Sequence, residues 1–140
     1  MKLLFCLLIS SLAMGARIKD IANLKGARNN QLFGYGIIVG LSGTGDKANE
    51  LTQSSLGLVL KGMGVDVKDQ KMDTKNAAAV VVTATLPSFA KVGTKIDVNV
   101  SSVGSAQSLE GGTLMMSSLR GADGRVYAMA TGKIVALKKA

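Results

Sequence analysis

The segment Gly40-Leu-Ser-Gly-Thr-Gly-Asp-Lys47 is the part of this sequence that looks most like a phosphate-binding loop. Such a loop needs Gly-Lys-Ser/Thr, so that the lysine reaches the phosphates and the hydroxyl reaches magnesium. Here Asp46 places negative charge where the cradle should be electropositive, and Ala48 follows the lysine. No GxGxxG fingerprint opens a helix within a βαβ unit either. We therefore interpret this stretch as a structural turn. The predicted structural glycines are Gly34, Gly36, Gly40, Gly43 and Gly45.

The sequence also lacks the residues that other kinds of catalysis commonly use. The sequence has no histidine and one cysteine, Cys6, which excludes histidine-based triads, His- or Cys-ligated zinc and redox thiol pairs. A serine–lysine dyad stays open on composition alone, although nothing singles out one pair. Asp66, Asp69 and Asp73 lie in a polar stretch interleaved with lysines, which indicates a solvated loop rather than a carboxylate pair for glycoside cleavage. We predict no enzymatic activity, no cofactor and no bound metal.

The lysines are the remaining candidates for a function. Seventeen Lys and Arg against nine Asp and Glu give a net charge of +8, which favours an anionic partner: another protein, a cell-wall polymer, a membrane surface or nucleic acid. Aromatic residues make up 4%, which argues against a surface that stacks bases or sugars. Lys61, Lys68, Lys71 and Lys75 cluster before a long apolar run, and Lys91 and Lys95 follow it. They either keep the chain soluble or form a basic face that meets an acidic partner.

One helix is predicted from about Asn49 to Gly62, because apolar residues recur there at i, i+3, i+4 and i+7. These residues are Leu56, Val59, Leu60 and Met63. Thr52 or Asn49 is expected to cap the start of the helix. Gly62 or Gly64 is expected to end it in the left-handed conformation.

Five apolar or alternating stretches predict strands. They are Leu32–Leu41, Ala77–Leu86, Lys95–Val100, Thr113–Leu119 and Arg125–Leu137. The second is a continuous apolar run ended by Pro87, which predicts a central strand buried on both faces. In the third, strict alternation places Ile96, Val98 and Val100 inward. Gly121-Ala-Asp-Gly124 predicts a hairpin turn, and Gly132 a possible bulge. The sum is an α+β domain: a mostly antiparallel meander of four or five strands with one amphipathic helix.

Two further stretches have weaker patterns. Arg17–Leu24 alternates loosely between apolar and polar residues, so a short strand and a single amphipathic turn both stay open. Val65–Lys75 is polar, with lysines and aspartates close together, and is predicted to be a loop.

Residues 1–15 have the composition of a secretory signal peptide. One lysine precedes an apolar run from Leu3 to Leu12, and Ala13 and Gly15 supply the small residues of a cleavage site. The run is shorter than the ~20 apolar residues that a membrane span needs. We predict cleavage after Gly15, which removes Cys6 and leaves a single domain over residues 16–140. Export also argues against nucleic acid as a partner.

Six stretches together carry a family resemblance. They are Arg17-Ile-Lys-Asp20, Asn30–Asp46, Lys75–Pro87, Ile96–Val103, Ser108–Leu114 and Gly121–Ala128. In this order they resemble the amino-terminal part of the bacterial flagellar P-ring protein family. The resemblance covers nearly the whole chain after the predicted leader, so it is specific. Members of that family are considerably longer, which makes this chain a fragment or a truncated product of such a protein.

The resemblance implies a secreted, non-catalytic periplasmic subunit. It implies a closed ring of copies around the distal flagellar rod at the level of peptidoglycan, acting with the L ring as a bushing, and a periplasmic chaperone before assembly. It also implies a rod-facing basic residue before the second apolar run, which is Lys75 here. The family's second basic position corresponds to Gln107, and Glu110 stands where relatives often carry arginine. The further rod-facing candidates are Lys71, Lys91 and Lys95.

The leading hypothesis is therefore a structural ring subunit. The alternative is a monomeric periplasmic module that binds peptidoglycan through a basic face, although the few aromatic residues count against specific sugar recognition. A serine hydrolase is the third hypothesis, and it predicts labelling by an active-site serine probe.

Overall fold

The computed structural model describes residues 28–68 and 71–136 of the chain. The elements are β1 (Asn30–Val39), α1 (Glu50–Gly62), a 3-10 turn (Thr74–Asn76), β2 (Ala77–Leu86), β3 (Val98–Ser102), β4 (Thr113–Arg120) and β5 (Val126–Lys133). This confirms the α+β class with one helix and five strands. The predicted signal peptide and the Arg17–Leu24 stretch lie outside the described residues. Within the described ranges no helix has the length and apolar character needed to cross a membrane.

The five strands form one antiparallel sheet in the order β3-β2-β1-β4-β5. Strands β1 and β2 pair along their whole length, from Asn30 opposite Leu86 to Val39 opposite Ala77. The antiparallel sheet is as predicted, but its order departs from a simple meander because β4 pairs with β1 rather than with β3. Strand β1 pairs with β2 along one edge and with β4 along the other. As a result β1, and not β2, is the central strand.

Burial on both faces holds for only half of β2. Ala77–Val80 are buried on both faces, whereas Val81, Thr83 and Thr85 are exposed, so the prediction of two-sided burial was wrong for the second half. Helix α1 and the residues before it cover only one end of the outer face of β2. At that end the Ala79 N–H donates to the buried side chain of Asp46. Beyond that end the strand alternates as a half-buried strand does.

The sheet curls between β1 and β4, where the pairing register shifts. Val82 of β2, Leu119 of β4 and Ala130 of β5 belong to one hydrophobic cluster, so the two halves of the sheet share a core on the concave face. A Cβ on Gly34 would overlap the Ser118 carbonyl oxygen of β4, and a Cβ on Gly36, on the same face, would meet the side chains of Ser117 and Leu114. The register shift leaves an extra residue in β4, and such a bulge bends a strand.

The ends of α1 are set by capping residues. Asn49, not Thr52, is the N-cap: its side chain accepts from the Leu51 N–H at 2.9 Å. Gly64, not Gly62, takes the left-handed conformation, with φ of +85°. In the predicted apolar stripe, the three residues Leu56, Val59 and Leu60 are half-buried. Met63 is exposed, because it is the C-cap residue beyond the last turn.

The later strands follow their patterns with shifted ends. Ile96, Val98 and Val100 pack against the core as predicted, although β3 itself begins only at Val98. The Gly121–Gly124 turn joins β4 to β5, and the Gly124 N–H donates to the Gly121 carbonyl oxygen at 3.0 Å. Gly132 pairs with Leu114, and the extra residue of the nearby register shift lies in β4.

Candidate functional site

A buried carboxylate at Asp46 holds one end of the sheet together. Its Oδ2 accepts from the Thr52 hydroxyl at 2.5 Å and from the Ala79 N–H at 2.9 Å, and its Oδ1 accepts from the Ala106 N–H at 2.8 Å. Asp46 is fully buried, and Gly104 leaves room for it, because a Cβ there would overlap the carboxylate. A buried charge is costly unless hydrogen bonds satisfy it. The carboxylate therefore joins the glycine-rich turn to α1, β2 and the β3–β4 connection.

The backbone of the glycine-rich turn is also used inside the protein. The Gly45 N–H donates to the Lys75 carbonyl oxygen at 2.7 Å. The Thr44 carbonyl accepts from the Gln107 N–H at 2.8 Å, and the Thr44 hydroxyl donates to the Ser108 carbonyl at 2.9 Å. A phosphate cradle requires successive N–H groups that are free to face a ligand. The turn instead links neighbouring segments, in agreement with its interpretation as a structural turn.

At the five glycines that the sequence singled out, a side chain would meet either neighbouring atoms or an unfavourable backbone conformation. A Cβ at Gly34, Gly36 or Gly45 would overlap neighbouring atoms, and the last of these would meet the carbonyl oxygen of Ala77. Gly40 and Gly43 have φ values of +80° and +77°, which side chains rarely tolerate.

Lys75 lies exposed at this same end of the sheet. It belongs to the 3-10 turn before β2, and its N–H donates to the side chain of Asp73 at 3.0 Å. Its carbonyl accepts from Gly45, and the adjacent Thr44 accepts from Gln107. The two positions where the family resemblance expects basic residues thus converge on one turn, although they are far apart in the sequence. Only the first of the two carries a lysine here.

The sequence patterns did not single out Lys47, which adds positive charge at this end. It is exposed, and its N–H donates to the Ser105 hydroxyl at 2.9 Å. Lys47, Lys75 and Gln107 together border the glycine-rich turn, and we call this set the turn-end surface. The one feature of the sequence that could have indicated Lys47 is its position directly after the glycines of this turn.

The other lysine candidates lie elsewhere. Lys71 is exposed in the connection that leads to Lys75, whereas Lys91 and Lys95 are exposed beyond the opposite end of β2. A ten-residue strand rising about 3.3 Å per residue separates the two groups by roughly 30 Å. The four lysines therefore do not form one continuous face. In the described part of the chain none of them is in an ion pair, and the pair found there joins Lys68 to Asp66 at 3.7 Å.

Metal-ligating and titratable groups were the remaining candidates for chemistry in the described residues. Within residues 28–68 and 71–136 no cluster of three His, Cys, Asp or Glu side chains could hold a metal ion. The perturbed groups lie at the exposed β4–β5 turn, where the Tyr127 hydroxyl donates to Asp123 at 2.6 Å. This hydrogen bond lowers the pKa of Asp123 and raises the pKa of Tyr127. Both side chains lie open to solvent, and their contact fixes the turn.

Comparison with known proteins identifies the family. Residues 17–140 match the family model described as flagellar P-ring protein. The chain is 55% identical over 130 residues to the flagellar P-ring protein of Aquifex aeolicus, covering 92% of this chain and 36% of that protein. It is 53% identical over 134 residues to that of Geobacter sulfurreducens, covering 95% and 36%, and 51% identical over 131 residues to that of Caulobacter vibrioides, covering 92% and 35%. Neither the family nor these relatives are named for a catalytic activity.

The matches cover most of this chain but only part of each relative's length. The chain spans about a third of the length of the curated relatives that it matches. Within that third the match extends over every described strand and the helix, and it includes the glycine-rich turn and Lys75. The chain belongs to the flagellar P-ring protein family.

Proposed function

We propose that this chain is a structural subunit of the P ring of the bacterial flagellar basal body, in which copies form a closed ring around the rod. The observation that carries the proposal is the family match over residues 17–140, which takes in the turn-end surface. That surface places Lys47 and Lys75, both exposed, beside a turn held by buried hydrogen bonds. A rigid, positively charged end of this kind suits a surface that faces an acidic shaft.

The physical task of such a subunit is to hold the rod in place without gripping it. Charge attraction between exposed groups acts over about 8 Å at physiological ionic strength and needs no interlocking side chains. A ring lined by exposed lysines would therefore centre a negatively charged rod and still allow it to turn. We assign the rod-facing role to Lys75 first, with Lys71 as the nearest further candidate. Lys91 and Lys95, at the other end of β2, are left for a different contact.

The remaining parts of the proposal follow from the family. The leader is removed after Gly15 during export to the periplasm, where a chaperone holds the subunit until it assembles. The ring forms at the level of peptidoglycan and acts with the L ring as a bushing. Nucleic acid has no part in this function.

Charge reversal at Lys75 tests the proposal. In the full-length protein, Lys75→Glu should leave the periplasmic level of the protein unchanged but reduce the number of isolated basal bodies that carry a P ring. The matched control is Lys61→Glu, the same change at an exposed residue in the last turn of α1. Normal ring counts for Lys75→Glu would overturn the rod-facing role. Loss of rings in both variants would show that net charge matters and position does not.

A further inference from the structure

A cleft opens on the concave side of the curled sheet. It has a volume of about 720 Å³ and lies between the two outer strands, with Val98 of β3 on one side and Ala128 and Ala130 of β5 on the other. The β2–β3 connection closes it above with Lys91 and Lys95. The cleft therefore lies between the two edge strands of the sheet, β3 and β5, which face each other across it.

Both borders of this cleft are open strand edges in the described part of the chain. Strand β3 pairs with β2 alone, and β5 pairs with β4 alone. An open edge presents N–H and C=O groups that can pair with an added strand. Closing a curled sheet with one more strand removes such edges.

The lining of the cleft sets what can occupy it. Leu86, Ile96, Val98 and Ala128 form an apolar floor that packs against the core. The two rim lysines are exposed and have no ion pair with the described acidic residues. An extended segment with small or branched apolar side chains and one carboxylate matches this lining.

We propose that the cleft is filled by residues Arg17–Leu24 of the same chain, added as a sixth strand. The family match begins at Arg17, so this stretch belongs to the family's domain rather than to the leader. Its sequence places Ile18, Asp20, Ala22 and Leu24 on one side of an extended strand. The three apolar side chains meet the floor, and the Asp20 carboxylate meets the rim lysines.

The point where the described chain begins makes this geometry reachable. Asn29 lies against the loop of residues 87–94, and Ala90, Lys91 and Thr94 of that loop also line the cleft. A stretch as long as residues 17–27 spans roughly 35 Å when extended. That length crosses the end of the sheet and runs along the cleft. This inference does not depend on the proposed ring function.

Paired cysteines in the full-length protein test the proposal directly. In a Cys6→Ser background, Ala22→Cys or Leu24→Cys is combined with Ala128→Cys, and the protein is exported to the oxidising periplasm. The matched control combines the same segment cysteine with Ser101→Cys, which lies exposed on the opposite face of the sheet. At least one cleft pair should form an intramolecular disulfide in at least a fivefold larger fraction of molecules than its control.

The alternative occupants give different results. Disulfide-linked dimers from the cleft pairs would mean that a second copy fills the cleft, and this would overturn the proposal. If both cleft pairs form no more disulfide than their controls, the proposal is overturned as well. The remainder of the full-length protein is then the occupant to test.

Hydrogen exchange of the intact protein supplies a test that does not depend on strand register. Ile18→Asp with Leu24→Asp should speed exchange of the β3 and β5 amides by about tenfold or more, while β1 amides stay protected and report that the fold is intact. The control is Lys19→Asp, which falls on the other side of the segment. Equal exchange of the edge amides in both variants would contradict the added strand.

Discussion

At Asp46 one carboxylate satisfies three donors that come from three different segments. Thr52 belongs to α1, Ala79 to β2 and Ala106 to the β3–β4 connection. The same residue also uses its backbone, because its carbonyl accepts from the Thr74 hydroxyl at 2.7 Å and its N–H donates to the Ala77 carbonyl oxygen at 2.8 Å. Asp46 thus holds the glycine-rich turn in place. Through the same hydrogen bonds it also holds the start of β2 next to Lys75.

Replacing this carboxylate should destabilise the fold. Asp46→Asn keeps the shape but points an amide N–H₂ at buried donors, so we expect the free energy of unfolding to fall by about 1–3 kcal/mol. The matched control is Asp97→Asn at an exposed position, with an expected change within about 0.5 kcal/mol. Urea unfolding of both variants measures the difference. Equal stability of the two would contradict a structural role for Asp46.

The Asp123–Tyr127 contact predicts a specific pH dependence. The Tyr127 hydroxyl bond holds the pKa of Asp123 below its ordinary value of 3.8, so this contact is present at neutral pH and is lost as the pH falls through the lowered pKa. Tyr127→Phe removes the donor and should move the Asp123 pKa upward. NMR titration of the carboxyl group measures this shift. An unchanged pKa in the variant would contradict the assigned cause.

At the scale of the elements, the curl of the sheet depends on close packing between β1 and β4. Gly36 faces Ser117 and Leu114 so closely that a Cβ there would overlap both side chains unless they shift. The extra residue in β4 lies in the same region, and Ser117 turns its hydroxyl back to the Met115 carbonyl at 2.8 Å. The curl brings β5 round toward β3 and creates the cleft.

A methyl group at this contact should therefore be costly. Gly36→Ala should lower the free energy of unfolding by about 1–3 kcal/mol through overpacking. In the control Gly62→Ala, the new methyl meets no atom within 4 Å at the end of α1, and stability should stay unchanged or rise by up to about 1 kcal/mol. Thermal or urea unfolding measures both. A neutral Gly36→Ala would show that the curl does not need this close approach.

The sequence predicted the elements better than their arrangement, for physical reasons. Ala77–Leu86 and the helix were found nearly to the residue, because continuous apolar runs and helical periodicity are local signals. The pairing of β4 with β1 and the bulge in β4 depend on contacts between distant segments, and no local pattern encodes them. The same holds for Asp46, whose partners include Ala106, far along the chain. The sequence likewise did not predict that Lys75 and Gln107 lie at one turn, although the family resemblance points to both positions.

At the scale of the whole molecule, the lysines considered for binding are divided between two ends of the sheet. Lys47 and Lys75 lie at the glycine-rich end, and Lys91 and Lys95 lie beyond the other end of β2. A subunit in a ring around a shaft needs one surface for the shaft and others for its neighbours. Because the ten-residue strand β2 lies between the two lysine groups, they do not form the single basic face that the cell-wall-binding alternative needs.

Sedimentation separates the ring subunit from the cell-wall-binding alternative. For the full-length protein we expect self-association both with and without purified cell-wall sacculi, because the copies of a ring subunit bind one another. Binding to sacculi as a monomer, without self-association, would favour the peptidoglycan module instead. Denatured protein mixed with sacculi controls for nonspecific pelleting.

The most direct measurement of the ring assignment is electron microscopy of isolated basal bodies. Basal bodies are compared from cells that lack this protein and from the same cells supplied with it again. The assignment predicts that the ring around the distal rod is missing without the protein and returns when it is restored. A complete ring in the cells that lack it would contradict the assignment.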